Sequence, residues 1–162
     1  MNLYFVRHAS AQSKASWDRD DDLRPLTRRG RERFSAGANA LVRAGVLACD
    51  VIVSSPLVRA MQTAELLHDT LGGAPLIEED ARLGHGFDLP ALASIIAERS
   101  SADAIAIVGH NPSFAAVLSA ATGGSEIDVR KGAIALIEIS ETPGPIGRLL
   151  WLAPPSLFAS SL

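Results

Sequence analysis

The run "YFVRHAS", Tyr4 to Ser10, ends on an arginine and a histidine side by side. Two groups that are often cationic repel each other at the end of a buried strand unless something negative sits there. Arg7 and His8 also have counterparts: Arg59 follows the run "VIVSSP", and His110 follows "AIAIVG". Grouped around one hollow, these four side chains would suit a compact dianion, because guanidinium presents a planar fork of donors matched to phosphate oxygens. An imidazole held by an acceptor at one nitrogen can attack a phosphoryl group through the other, and the phosphoryl-histidine so formed splits one displacement into two. The second histidine and the arginines would then carry the charge on the equatorial oxygens. Taken singly, Arg59 is a surface arginine near a helix start and His110 a loop residue bonded to the backbone. Their placement after three separate strands joins them.

Those side chains meet only if the chain brings its strand ends to one edge. Apolar runs rich in Val, Ile and Leu predict strands over Asn2–Arg7, Val51–Ser54, Ala104–Gly109 and Ala133–Ile139, with "APLIEE" and "RLLWL" as shorter additions. Runs apolar on both faces suit strands covered by helices on each side. Thr27 caps a helix whose apolar face holds Phe34, Ala38, Leu41 and Val42, and Ser55-Pro56 opens a second carrying Leu57, Met61, Ala64 and Leu71. Asp88 caps a third with Leu89, Leu92 and Ile96, and Asn111-Pro112 opens a fourth with Ala115, Leu118 and Ala121. "TPGPIG" reads as a turn before the last strand, and no internal repeat is present. The alternation predicts an α/β fold, a three-layer α/β/α sandwich with a mostly parallel central sheet, formed as one domain over residues 1–162. Parallel strands place their carboxyl ends on one edge, where such sheets bind ligands. Helix starts after Ser55 and Asn111 would add backbone N–H groups there.

Composition narrows the classes. The 162 residues are 48% apolar and 20% charged, which describes a folded globular chain with a real core. A net charge of −3 gives no general attraction for nucleic acid or an anionic membrane, so any basic pocket is local. Cys49 is the sole cysteine, which excludes an internal disulfide and reads as a small buried residue. No run reaches membrane-spanning length, and a cytoplasmic location is expected. Walker A, dinucleotide-glycine, HExxH and zinc-cluster patterns are missing from the sequence. The acidic stretch "DRDDDLR", Asp18 to Arg24, lacks the glycine and distal glutamate of a calcium loop and reads as a solvated rim where a partner docks. Ser10, Ser13 and Lys14 follow the first motif but stand outside the core set.

Four blocks in order, "RHA" at Arg7–Ala9, "LRPLTRRGRE" at Leu23–Glu32, "SSPLVRAMQTA" at Ser54–Ala64 and "VGHNP" around His110, resemble the histidine phosphatase superfamily, also called phosphoglycerate mutase-like. The resemblance implies that His8 is the nucleophile that becomes phosphorylated, and that Arg7, Arg59 and His110, with Asn111 beside them, bind the phosphoryl group. It implies no metal and no organic cofactor. Within the family the chain is most similar to short phosphohistidine phosphatases of the SixA type, by its size, "RPLT" after an acidic loop, the late strand "KGAIALIEI" and the lack of a long lidding insertion. That implies a protein partner carrying phosphohistidine, and a monomer or weak dimer.

Two departures from the family pattern carry consequences. Ala9 replaces the glycine of the first motif, and a methyl there demands ordinary φ values. The usual general acid is also missing: Glu78, Glu79, Asp80, His85 and Asp88 are candidates, each with a plainer role as a solvated or capping residue. An alkoxide leaving group is the base of an acid with pKa on the order of that of water, roughly 15.7, and needs a proton donor. Imidazole leaves from a ring already protonated on its other nitrogen, with a conjugate-acid pKa of about 6.5. A pocket without a dedicated acid therefore favours phosphoramidate. Two rivals stand beside that expectation: a phosphomonoesterase for a small metabolite, and a phosphate-binding module without turnover.

Overall fold

Leu3 and Phe5 pack to one side of the first strand and Tyr4 and Val6 to the other, and all four are buried. A strand apolar on both faces must lie inside a sandwich. The computed structural model describes residues 1–139, 147–155 and 157. It contains one six-stranded sheet. In chain order the elements are β1 (Asn2–Arg7), α1 (Arg28–Arg43), β2 (Val51–Ser54), α2 (Val58–Thr70), β3 (Leu76–Glu79), α3 (Leu89–Glu98), β4 (Ala104–Gly109), α4 (Ser113–Ala121), β5 (Ile134–Ile139) and β6 (Gly147–Ala153). The turn expected at "TPGPIG" lies, apart from Gly147, outside the described residues.

The strand order is β3-β2-β4-β1-β5-β6. β3, β2, β4 and β1 pair in parallel, while β5 runs antiparallel to β1 and β6 antiparallel to β5. Alternation along the strands sorts the core into two halves. Phe5, Val53, Ile105 and Ile107 pack with Leu92 and Ile95 of α3 and with Phe114 and Leu118 of α4. Val6, Ile52, Ala106 and Val108 pack with Phe34 and Ala38 of α1 and with Ala60, Ala64 and Leu67 of α2. The molecule is therefore an α/β/α sandwich with a mostly parallel sheet, as the sequence predicts.

Helix starts follow local chemistry. Thr27 Oγ1 accepts the Gly30 N–H at 2.9 Å, and Asp88 Oδ1 accepts that of Ala91 at 2.9 Å. Two helices start later than their sequence signals suggest. The Ser55 hydroxyl takes up the Leu57 N–H, and α2 begins at Val58; Phe114 N–H closes on the His110 carbonyl, and α4 begins at Ser113. Cys49 is partly buried, and burial pushes its thiol up to about 12, which disfavours the thiolate and fits a packing role. Among the described residues no helix is long and apolar enough to cross a membrane.

Candidate active site

Topology decides where the site lies. From β1 the chain passes over one face of the sheet, by way of α1, to reach β2 beyond β4. From β4 it passes over the opposite face, by way of α4, to reach β5 beyond β1. The two connections diverge between adjacent strands, which opens a crevice at their carboxyl ends. Arg7 is in register with Gly109, so His8 and His110 emerge from that crevice together, and His8 N–H donates to the Gly109 carbonyl at 3.0 Å.

Arg7, His8, Arg59, His110 and Asn111 all line one hollow of about 300 Å³. Sequence reasoning named these five, and the fold brings all of them together. His8, Arg59 and His110 are buried, at 6%, 5% and 8% exposure. Such burial of polar groups is costly unless each finds a partner. His8 Nδ1 lies 2.7 Å from the Ala9 carbonyl, and since a carbonyl only accepts, Nδ1 carries the proton and Nε2 keeps its lone pair. Burial, reinforced by Arg59 and Arg7, pushes the His8 imidazole down to about 4. Burial and the neighbouring His8 push His110 to about 3. Both rings are neutral at pH 7.

Arg7 Nη1 donates to the Val129 carbonyl at 2.7 Å, which also accepts from Asn111 Nδ2 at 3.1 Å. That carbonyl ties the ends of β1 and β4 to the segment before β5. His110 Nε2 lies 2.8 Å from Ser55 Oγ, anchoring the ring to the end of β2. Among the described residues, four buried side-chain polar atoms have no partner: Arg7 Nε, Arg59 Nε, His110 Nδ1 and Asn111 Oδ1. Every one belongs to a residue lining this hollow. An unmade buried hydrogen bond costs about 1–3 kcal/mol, so four at one place mark a site built for something that completes them.

The Ala9 substitution is accommodated. No residue other than glycine has positive φ among the described residues, and Ala9 N–H donates to Thr63 Oγ1 at 3.1 Å. Of the five acid candidates, only His85 lines the hollow, and its Nε2 sits 2.9 Å from Asp22 Oδ1 at the rim. Glu78 pairs with Arg99, Asp80 with Arg82, and Asp88 caps α3; Glu79 does not line the hollow. The acidic stretch needs correction, because it is more than a solvated rim. Asp21 and Arg24 line the hollow, and the Asp21 carboxylate contacts Arg24 Nε at 2.9 Å and Arg59 Nη2 at 3.2 Å. Lys14 and Lys131 line it too. Lys131 comes to the hollow because β5 pairs antiparallel with β1 and so begins beside its end; the strand over Ala133–Ile139 was legible in the sequence, its direction was not. A neighbouring hollow of about 330 Å³ shares Arg7 and Lys131 but contains neither histidine. No group of three or more His, Cys, Asp or Glu among the described residues could hold a metal ion.

Comparison with known proteins agrees with this construction. The family model described as the histidine phosphatase superfamily (branch 1) matches residues 3–84, half of the chain, and so includes Arg7, His8 and Arg59. An uncharacterized protein of Picosynechococcus sp. is 46% identical over 67 residues, which span 41% of this chain and only 39% of that protein. Among solved structures, the protein histidine phosphatase SixA complexed with tungstate superposes with a TM-score of 0.84 at 22% identity, covering 97% of this chain and 99% of that one. The alpha-ribazole phosphatase from Shigella flexneri superposes with a TM-score of 0.76 at 17% identity, covering 96% and 97%. At such identities the likeness is one of fold, the phosphoglycerate mutase-like α/β/α sandwich. His110 lies outside the matched stretch, and it is joined to the motif by the β1–β4 register. On its family match, the chain belongs to the histidine phosphatase superfamily.

Proposed function

We propose that this protein is a phosphatase that removes the phosphoryl group from protein phosphohistidine through a phospho-His8 intermediate. The observation that carries the reading is the set of unpartnered buried atoms on Arg7, Arg59 and His110 around a neutral His8 whose Nε2 is free. A tetrahedral dianion would accept from the two guanidinium edges, and an oxyanion of that shape, tungstate, is bound by the SixA of similar fold. His8 Nε2 attacks phosphorus as the bond to the leaving group breaks. The Ala9 carbonyl keeps the proton on Nδ1, so the phosphorylated ring forms as an imidazolium and later departs to water as neutral imidazole. Neither step then calls on a dedicated acid when the first leaving group is itself a protonated imidazole. Of the five acid candidates only His85 lines the hollow, and its Nε2 is engaged by Asp22, which favours that substrate class over esters.

The test is direct. Brief incubation with a radiolabelled phosphohistidine protein should leave acid-labile, alkali-stable label on the wild-type chain and none on His8→Ala. Water should release the label as phosphate. Full turnover by His8→Ala, or faster turnover of aryl and alkyl phosphates than of phosphohistidine, would remove the proposal.

A further inference from the structure

The hollow holds one feature that phosphate binding does not explain. Its lining is rich in cations, with Arg7, Lys14, Arg24, Arg59 and Lys131, yet it includes a single carboxylate, Asp21. A negative charge in a dianion site opposes the dianion. It is also firmly fixed: the side chain is held by Arg24 and Arg59, and the Asp21 carbonyl accepts from Arg59 Nη1 at 2.7 Å. We infer that Asp21 is a specificity-determining residue, whose carboxylate accepts the N–H of the cationic imidazole ring of a phosphohistidine substrate and so selects phosphoramidates over esters. The inference rests on the phosphohistidine reading and adds the group that would enforce it.

Depth supports the placement. Both line the hollow, but His8 is 6% exposed whereas the Asp21 side chain keeps 30% exposure, from which we take His8 as the deeper of the two. In-line displacement sends the leaving group to the side of phosphorus opposite the attacking nitrogen, here outward. The leaving ring therefore passes the level of Asp21. In the step itself, the His8 Nε2 lone pair forms the new P–N bond. The old P–N bond breaks with its electron pair remaining on the substrate nitrogen. The ring's other nitrogen keeps the proton it brought, so imidazole departs neutral, still hydrogen-bonded to Asp21. A carboxylate at that nitrogen favours the protonated, reactive ring, and it disfavours an alkoxide or phenolate. Asp21 is not itself the acid: its hydrogen bond with Arg24, aided by Arg59 and Lys14, holds it below the usual carboxylate range.

Asp21→Asn keeps the shape and removes the charge. Its turnover of a phosphohistidine peptide should fall by about tenfold or more, the scale of one charge-assisted hydrogen bond, while turnover of p-nitrophenyl phosphate should rise. The alkaline limb of kcat on the peptide should also move to lower pH; the charged and titratable neighbours Lys14, Arg24, Arg59, Asp22 and His85 are unchanged in the variant. The ester rate doubles as the check that the variant is folded. If the wild-type protein cleaves the peptide but the ratio of the two rates is unaltered in Asp21→Asn, the role of Asp21 is wrong and the phosphohistidine reading stands. If the wild type cleaves only the ester, both fall.

Discussion

The imidazoles of His8 and His110 lie with ring centroids 5.1 Å apart and planes inclined by 47°. Two cations at that distance inside a buried hollow would repel strongly, and a buried charge is costly even alone. Burial is the larger cause of the low pKa of both rings, about 4 for His8 and about 3 for His110. The nucleophile therefore begins neutral across the physiological range. Imidazole signals followed by NMR should show neither ring titrating between pH 6 and 8. A His8 midpoint near the ordinary value of about 6.5 would contradict this.

The same shift makes stability depend on pH. In the unfolded chain a histidine takes up its proton near pH 6.5, roughly, whereas native His8 does so only near 4. Between those values the unfolded state binds more protons, so stability rises with pH across the window and is lost as pH falls from 6.5 toward 4. Urea midpoints of the wild type should drop over that interval. His8→Gln should lessen the dependence and leave the part due to His110, and an unchanged slope would show that His8 is not a linked group.

Arg59 holds one partner and keeps a donor to spare on one buried guanidinium. Its terminal nitrogens hold Asp21, and its Nε has none. Arg59→Ala should weaken inhibition by phosphate or tungstate as well as turnover, because the contact is made with ground and transition state alike. A loss of about 10²–10³ in kcat/KM is expected, the range for removing one preorganised donor. Arg59→Lys should recover charge but not the fork, and so only part of the loss. Unaltered inhibition constants in Arg59→Ala would place the anion elsewhere.

How much of this was legible in the sequence follows from what each residue depends on. β1, β2 and β4 were readable to their ends because runs such as "AIAIVG" are apolar on both faces, and four parallel strands then force their carboxyl ends together. His8 and His110 sit immediately beyond β1 and β4, and Arg59 lies in the first turn of the helix that follows β2, so topology delivers all three to that edge. Asp21 does not, because the short 3-10 turn at Asp21–Leu23 is folded over the hollow by its own arginine contacts, which carry no periodic signal. A charge run looks solvated until its partner is located.

Gly109 shows why the later histidine motif begins with glycine. A Cβ at that position would come within 2.7–2.8 Å of Cζ and Cδ2 of Phe114. Phe114 cannot yield, since it is fully buried between Phe5 and Phe87, with ring centroids at 5.4 and 5.3 Å. Gly109→Ala should cost roughly 1–3 kcal/mol, as overpacking of a dense core does, and should lower activity by displacing His110. Unchanged thermal unfolding would mean that the ring has room to move.

Ser55 decides which proton His110 offers. The Ser55 hydroxyl is fully buried, accepts the Leu57 N–H at 3.3 Å and faces His110 Nε2 at 2.8 Å. His110 Nε2 is the one acceptor within reach of the Ser55 O–H among the described residues, so the hydroxyl donates there and that nitrogen is the acceptor of the neutral ring. The ring proton then resides on Nδ1, the atom left without a partner, where it can meet an anion oxygen. Ser55→Ala frees the ring to adopt the other tautomer, in which no N–H faces the anion. Turnover should fall by about tenfold, the worth of one hydrogen bond of about 1.4 kcal/mol, with kcat affected more than KM because charge on the oxygens grows in the transition state. Nitrogen chemical shifts of His110 report the tautomer independently of activity. They should show Nδ1–H in the wild type and a mixture in Ser55→Ala, and Nε2–H in the wild type would reverse the assignment.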